Sequence, residues 1–425
     1  MSSTDENAKP AVRMARLSVA LLLAINLLNY VDRFVLAAAV PKIQSEFSSS
    51  DSQMGSLATA FLVSYMITAP LFGWLADRFS RWKLMGLAVI AWSLASGASG
   101  WAESFAVLFA TRLAVGVGEA AYGPAAPTVI ADLYPIQRRG SVLAWFYMAI
   151  PVGSALGYVL GGIAAQHLHW RWAFYLVVPP GILLGLLCFL MPEPPRGASD
   201  SPTRSRRRVK LADYLTLLRT PSYVLNCAGM TAMTFALGGV SFWMPKYIHL
   251  YRGEPNLDRV NVIFGALTVV SGISATLLGG LAGDRLSARF PGAYFLVSGA
   301  GMLLGFPCFL MVLFAPFHPF PWAWIFIFLA EFCLFFNTGP TNTILANVTH
   351  PGVRSTAYAL NIFIIHLLGD AISPPLIGAI SDRFEGNMNF GFMAVSGAIL
   401  LSGVFWLWGA RYLQRDTELA PSRIL

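Results

Sequence analysis

Residues Phe105 to Gly140 read FAVLFATRLAVGVGEAAYGPAAPTVIADLYPIQRRG. Most of this stretch is apolar and long enough to cross a bilayer, which takes about 20 residues. Two ionisable side chains, Arg112 and Glu119, interrupt it. They are seven residues apart, two helical turns, so both project from one helix face. A charge at the bilayer centre costs on the order of 3 kcal/mol on insertion scales. Such groups therefore face a protein interior or a water-filled cavity, and by default they mark a substrate or proton site. The plainer alternative is an internal ion pair that only fixes helix packing.

The rest of the chain has the same character. Of its 425 residues, 56% are hydrophobic and 12% charged, against about 25% charged in a soluble domain. This predicts an all-α polytopic membrane protein. Apolar spans fall near 16–41, 53–75, 84–102, 105–132, 140–165, 171–191, 221–250, 260–282, 292–314, 321–346, 355–380 and 391–412. Twelve spans put both termini on one side. Arg13, Arg16, Arg78, Arg81, Lys83, Arg138, Arg139, Arg206, Arg207, Arg208 and most other basic residues lie in one set of connecting segments. The opposite set holds only Lys42, Arg171, Lys246, Arg252, Arg259 and Arg383. Positive residues stay cytoplasmic, so both termini are expected inside. The net charge of +8 is spread over many short loops, which excludes a nucleic-acid partner. Cys188, Cys227, Cys308 and Cys333 all fall in apolar spans and suggest no disulfide framework. No cleavable signal peptide, cofactor or metal site is expected.

The chain divides into an N-terminal tail (1–15), a bundle (16–191), a linker (192–219), a second bundle (220–412) and a C-terminal tail (413–425). The linker carries Pro192, Pro194, Pro195, Pro202 and the run Arg206-Arg207-Arg208. The two bundles repeat. Gly73-Trp-Leu-Ala-Asp77-Arg78 returns 207 positions later as Gly280-Leu-Ala-Gly-Asp284-Arg285. An offset of 216 maps Gly123-Pro124 onto Gly339-Pro340, Pro135 onto Pro351, Arg138 onto Arg354, Gly153 onto Gly369 and Gly162 onto Gly378. Two parallel repeats of six spans resemble the major facilitator fold: twelve transmembrane helices in two six-helix pseudo-symmetric halves. That fold places the substrate site near the midplane and works by rocking one half against the other. The 73–78 turn, followed by Arg81 and Lys83, resembles the superfamily's signature loop, where glycine permits a tight turn. The resemblance implies a conformational latch built from Gly73, Asp77 and Arg78, with Asp284 and Arg285 as its counterpart and Arg138 and Arg354 as cytoplasmic arginines.

The first span carries Asn26, Asn29, Tyr30, Asp32 and Arg33. At 1.5 Å per residue, Asp32 and Arg112 share a level in the outer half of the membrane, with Glu119 deeper. Asp32 and Arg33 point about 100° apart, so Asp32 is expected to face the cavity and Arg33 to find a separate partner. Burial and a nearby arginine pull a carboxyl's proton affinity in opposite directions. Asp32 and Glu119 are thus candidates for proton coupling. Arg112, through its planar fork of donors, is the candidate for an acidic substrate group. A static salt-bridge cluster is the alternative. His366 and Asp370, four apart on one helix face, are a further candidate proton pair. Glu331 is a buried acid with no partner visible in sequence. Pro374-Pro375 and Gly339-Pro340 are expected to bend their helices. Phe235, Trp243, Phe332, Phe335 and Phe336 are candidates to line an apolar cavity, or are core residues.

NYVDR at 29–33, RLAVGVGEAAY at 112–122, APTVIADLYP at 126–135, AWFYMAIPVGSALGYVLGG at 144–162 and HLLGDAISPPLIGAISD at 366–382 together resemble the spinster family. Its members are major facilitator transporters of lysophospholipids and sphingosine-1-phosphate. The resemblance implies a secondary active transporter of an amphiphilic lipid-like molecule, driven by protons through alternating access. It carries over Asp32, Arg112, Glu119 and Tyr122 as substrate-binding candidates, and Asp32, Glu119, His366 and Asp370 as proton-coupling candidates. Protons and membrane lipids are the other expected partners, the protein is expected to be a monomer, and its short tails suggest a bacterial inner-membrane member. The competing resemblance is to organic anion–proton symporters, which share the Asn-Tyr-x-Asp-Arg and Gly-x-x-Glu-Ala patterns and carry small acids such as sugar acids. A lipid scramblase without ion coupling is a third reading. His-Glu-x-x-His, Gly-x-Ser-x-Gly and phosphate-loop motifs are all missing, so no enzyme is expected.

Overall fold

A computed structural model describes residues 3–134, 142–143, 145–195, 216–315, 322–350 and 354–420, with side chains from residue 13 onward except 354–356. Among these residues every regular element is helical. In order they are α1 (Ser3–Phe47), α2 (Asp51–Arg78), α3 (Arg81–Gly100), α4 (Phe105–Glu119), α5 (Tyr122–Leu133), α6 (Ala149–His167), α7 (Trp170–Tyr175) and α8 (Val178–Cys188). The second half holds α9 (Pro221–Tyr251), α10 (Leu257–Ser287), α11 (Ala293–Phe314), α12 (Trp324–Phe336), α13 (Thr338–Val348), α14 (Arg354–Ile365), α15 (Ser373–Arg383), α16 (Met388–Gly409) and α17 (Leu413–Leu419). α1 starts at Ser3, inside the segment 1–15 that the sequence leaves as tail.

Eleven helical stretches among the described residues are long and apolar enough to cross a membrane. The span expected at 84–102 is α3, whose serines and glycines dilute its hydropathy. Local chemistry sets the boundaries. Ser80 and Ser104 cap α3 and α4 by accepting the backbone N–H of Lys83 and Val107. Ser50 and Gln53 form a reciprocal capping box at the start of α2. Prolines place the internal breaks. Pro124 has no N–H to offer the preceding turn, and the fourth span divides into α4 and α5 at Ala120–Ala121. Pro340 does the same in the tenth span, dividing it at Asn337. In the eleventh, a π-helical turn from His366 to Asp370 precedes Pro374. Pro375 leaves the carbonyl of Ala371 without a helical donor, and the Thr59 hydroxyl donates to it at 2.6 Å.

The chain forms two compact units. Unit 1 comprises Met1–Ser49, Ala60–Arg204 and Asn256–Gly265, and unit 2 comprises Ser50–Thr59, Ser205–Pro255 and Ala266–Leu425. The long helices α2 and α10 are therefore each divided: their first turns belong to the opposite unit from the rest. In unit 1, α1 and α6 approach backbone to backbone. A Cβ on Gly153, Gly157 or Gly161 would lie 2.6, 2.7 or 2.9 Å from the carbonyl oxygens of Leu27, Val31 and Val35. Helices in lipid gain from such close packing, because the bilayer supplies little hydrophobic drive between them.

Candidate functional site

The charged residues of α1 and α4 meet inside unit 1. Asp32, Arg112 and Glu119 are each almost wholly buried. Glu119 ends α4, one residue before the break that Pro124 imposes. Its Oε2 accepts from Arg33 Nε at 2.8 Å. Arg33 is the exposed member of the group, with 23% of its side chain accessible. Its guanidinium sits among the rings of Tyr30, Phe61 and Tyr65, 4.7–5.4 Å from their centroids. Such cation–π contacts suit a charge held partly out of water.

Asp32 turns the other way along α1 and takes a hydrogen bond from the Ser96 hydroxyl. Arg112 Nη2 donates to Ser99 Oγ at 3.1 Å, and its guanidinium lies 5.3 Å from the Phe174 ring. Asp32 and Arg112 are within electrostatic reach of each other. Ser96 and Ser99 are three apart on α3, and with Ser93 they make a buried polar stripe. This stripe is absent from the expectations drawn from sequence. Its signal was present in Trp92-Ser-Leu-Ala-Ser-Gly-Ala-Ser, three serines at helical spacing in an apolar span.

The cluster balances two acids against two arginines, yet it is not saturated. Asp32 Oδ2, Arg112 Nε and Glu119 Oε1 are buried and have no hydrogen-bond partner among the described residues. Each such orphan costs roughly 1–3 kcal/mol, more for charged groups. Three of them on neighbouring ions mark a place where water or a polar ligand group completes the structure.

Other expected site residues sit elsewhere. The Tyr122 hydroxyl donates to the Leu22 carbonyl at 2.5 Å and is buried, which ties α5 to α1. His366 and Asp370 do meet: Nδ1 lies 3.0 Å from both carboxylate oxygens, on the π turn of unit 2. Glu331 is buried in unit 2, and its oxygens lie 3.1–3.3 Å from the hydroxyls of Thr268 and Ser271. Asp77, Arg78, Asp284 and Arg285 are exposed. Arg78 stacks on Trp74 at 3.9 Å, and Asp284 accepts from Tyr294 at 3.0 Å. Gly73 lies close to Pro124. Arg138 lies outside the described residues, as does the side chain of Arg354.

A second arginine hub, absent from the sequence expectations, lies just past the signature loop. Arg81 is buried and donates to Glu193 Oε1 at 2.7 Å, Asp132 Oδ2 at 2.6 Å, Thr128 Oγ1 at 3.2 Å and the Pro194 carbonyl at 3.0 Å. It joins the start of α3, the end of α5 and the segment after α8. Burial alone would raise the Glu193 carboxyl. The hydrogen bonds from Arg81, Ser80 and the Trp82 backbone outweigh it and hold the group below the usual carboxylate range.

Residues 22–374 match the family model described as Major Facilitator Superfamily. Protein spinster homolog 3 of Danio rerio is 38% identical, over 98% of this chain and 89% of its own. Protein spinster homolog 1 of Homo sapiens is also 38% identical, over 96% and 83%. Among solved structures, a bacterial homolog of the human lysosomal transporter spinster, inward-facing and unoccupied, superposes with a TM-score of 0.80. Its identity is 23%, covering 96% of this chain and 98% of that one. A D-xylose-proton symporter follows at 0.72 and 18% identity, covering 91% and 96%; at these identities the likeness is one of fold.

Proposed function

The chain belongs to the major facilitator superfamily and, within it, to the spinster family, and from that premise we propose that it carries an amphiphile with an anionic head group, coupled to protons. It is a transporter rather than an enzyme, working by alternating access. The observation that carries the proposal is the unsaturated, charge-balanced cluster of unit 1: three orphan polar atoms on Asp32, Arg112 and Glu119, beside an accessible Arg33. Glu119 takes the Nε of Arg33 and the Tyr65 side chain also hydrogen-bonds to it; of the five N–H donors of its fork, others remain for an anion such as a phosphate ester. An anion bound there competes with Glu119 for Arg33. Glu119, losing its cation in a dry setting, then takes up a proton. The anion's negative charge offsets the proton taken up by Glu119, and Asp32 and Arg112 stay a balanced pair beside them, so the cluster remains near neutral. The rings of Tyr30, Phe61 and Tyr65 give the bound head group an apolar flank suited to a lysolipid-like molecule. In this reading His366 and Asp370 supply a second proton-responsive pair, both termini face the cytoplasm of a bacterium, and the protein works as a monomer.

Uptake into proteoliposomes with an imposed pH gradient tests this directly, comparing a lysophospholipid with a sugar acid. Gradient-driven lysophospholipid uptake is expected. Uptake of the sugar acid alone would make the chain a small-anion symporter. Lipid flow in both directions regardless of the gradient would make it a scramblase. Either result overturns the proposal.

A further inference from the structure

The three serines of the α3 stripe do not use their hydroxyls alike. A buried serine on an apolar helix ordinarily returns its proton to a carbonyl three or four residues back. Ser64, Ser154, Ser298 and Ser396 all do so in this chain, at 2.8–3.2 Å. Ser96, wholly buried on α3, instead donates to Oδ1 of Asp32 on α1. Ser93, a turn earlier, leaves its hydroxyl oxygen without a partner among the described residues. Of the stripe, Ser96 is the member that gives its proton to a carboxylate.

Ser99 fixes the basic side of the pair. It donates to Thr111 Oγ1 at 2.8 Å, and Thr111 donates to the Leu108 carbonyl at 2.7 Å. With its proton so directed, Ser99 turns a lone pair to Arg112 Nη2 at 3.1 Å. α3 thus offers a donor to the acid and an acceptor to the base, one turn apart. The two buried acids are held differently. Glu119 depends on Arg33, with Asn29 beside it, and Arg33 is the accessible cation that an anionic head group would engage. Asp32 keeps Ser96 whatever Arg33 does. The charged groups within reach of Asp32 are Arg112 and Glu119 on α4 and Arg33 on its own helix. α3 adds Ser96, and α6 sets Gly157 against that turn of α1.

We propose that Ser96 is a positioning residue that biases the coupling proton away from Asp32 and toward Glu119. A hydrogen bond donated to a carboxylate favours its charged form. Two acids within reach of each other compete for a proton, because charge on one disfavours charge on the other. A fixed donor on one of them tips that competition, and Ser99 serves the same end by holding Arg112 beside Asp32. Ser96 plays this part in transport only if the proton coupling proposed above holds; its effect on Asp32 does not depend on it.

Infrared difference spectra of the purified protein in lipid, recorded as pH is lowered, read the C=O stretch of each carboxyl as it takes a proton. Asp32→Asn and Glu119→Gln assign the two bands. In Ser96→Ala the Asp32 band should appear about one pH unit higher than in wild type. The Glu119 band should appear at lower pH, because a neutral Asp32 no longer repels its charge. Opposite movement of the two bands is the mark of competition, which loosened packing would not give. Ser96→Thr, which keeps the hydroxyl, should titrate as wild type does, and so should Ser93→Ala. Ser96→Cys, with only a weak S–H donor, takes the place of alanine if that variant does not fold. Bands that stay at their wild-type pH or move together in these variants would overturn the proposal, as would a Ser96→Thr shift as large as alanine's. No substrate is added, so a chain that proved to transport without protons would lose its proposed coupling and leave this result standing.

Discussion

Inside unit 1, Asp32 and Glu119 face Arg33 and Arg112, two acids against two bases, with polar atoms left over. Inside unit 2, the partners of Glu331 among the described residues are the hydroxyls of Thr268 and Ser271. The scaffolds around these sites repeat: both fourth-helix equivalents break near Gly-Pro, and both second helices carry an Asp-Arg pair in their last helical turn. The charges do not repeat. Under the proposed function, a cluster with two acids and two bases exchanges partners, admits an anion and moves a proton while staying near neutral. A lone acid among hydroxyls has no partner to exchange. The repeat therefore preserves the proline breaks of the fourth and tenth spans, while the charges buried beside them differ between the units.

Removing a cation from unit 1 should break the cluster most severely. Arg112→Ala leaves Asp32 without its nearest counter-charge, and uncompensated buried charge costs about 3–5 kcal/mol. Gradient-driven uptake should fall roughly 100-fold, equivalent to about 2.7 kcal/mol, with the protein still monodisperse on size exclusion. Near-normal uptake would show that the cluster only fixes packing. Glu119→Gln is milder, since the amide keeps the shape and one acceptor. Uptake should drop about tenfold and lose its dependence on the pH gradient; retained dependence would move the proton elsewhere.

Arg81→Ala sharpens the contrast from outside the span. It removes the cation that Asp132 and Glu193 share and should lower the melting temperature by about 6 °C while leaving gradient dependence intact. Because Glu193 is held below its ordinary range, its contribution is complete above the unfolded carboxyl pKa of about 4.3. It is lost as pH falls through the lower folded value. The melting difference between wild type and Glu193→Gln should therefore be flat at neutral pH and close only in acid. The smallest effect belongs to unit 2. Glu331→Gln can still pair with Thr268 and Ser271, so stability should change by less than about 0.5 kcal/mol and uptake by less than about twofold. A lost gradient response in this variant would erase the distinction between the units.

Much of this was legible in the chain itself. The apolar spans and the proline breaks follow from local patterns that act within a few residues, and the repeat shows as motifs that recur at two fixed offsets. The ionised side chains were visible as charges in apolar runs. Which of them pair was not. Asp32 and Arg33 are neighbours on one helix, and only the packing of α1 against α3 and α4 sends one to Ser96 and the other to Glu119. Arg81 was noticed as a basic residue after the signature turn, but its partners arrive from 47 to 113 residues away, a distance no spacing rule spans. The exposed Asp77 and Arg78 drew attention because the motif names them, whereas the buried hub beside them carries the bonds.

The glycine seam between α1 and α6 has a mechanical corollary. With carbonyls of Leu27, Val31 and Val35 seated where side chains would otherwise stand, the two helices act as a single stiff beam, and Asp32 and Arg33 are mounted on it without play. Any tilt of that beam is delivered whole to the charges it bears. Alanine at Gly157, a residue that touches no ion, would wedge the beam apart and displace those charges from a turn away.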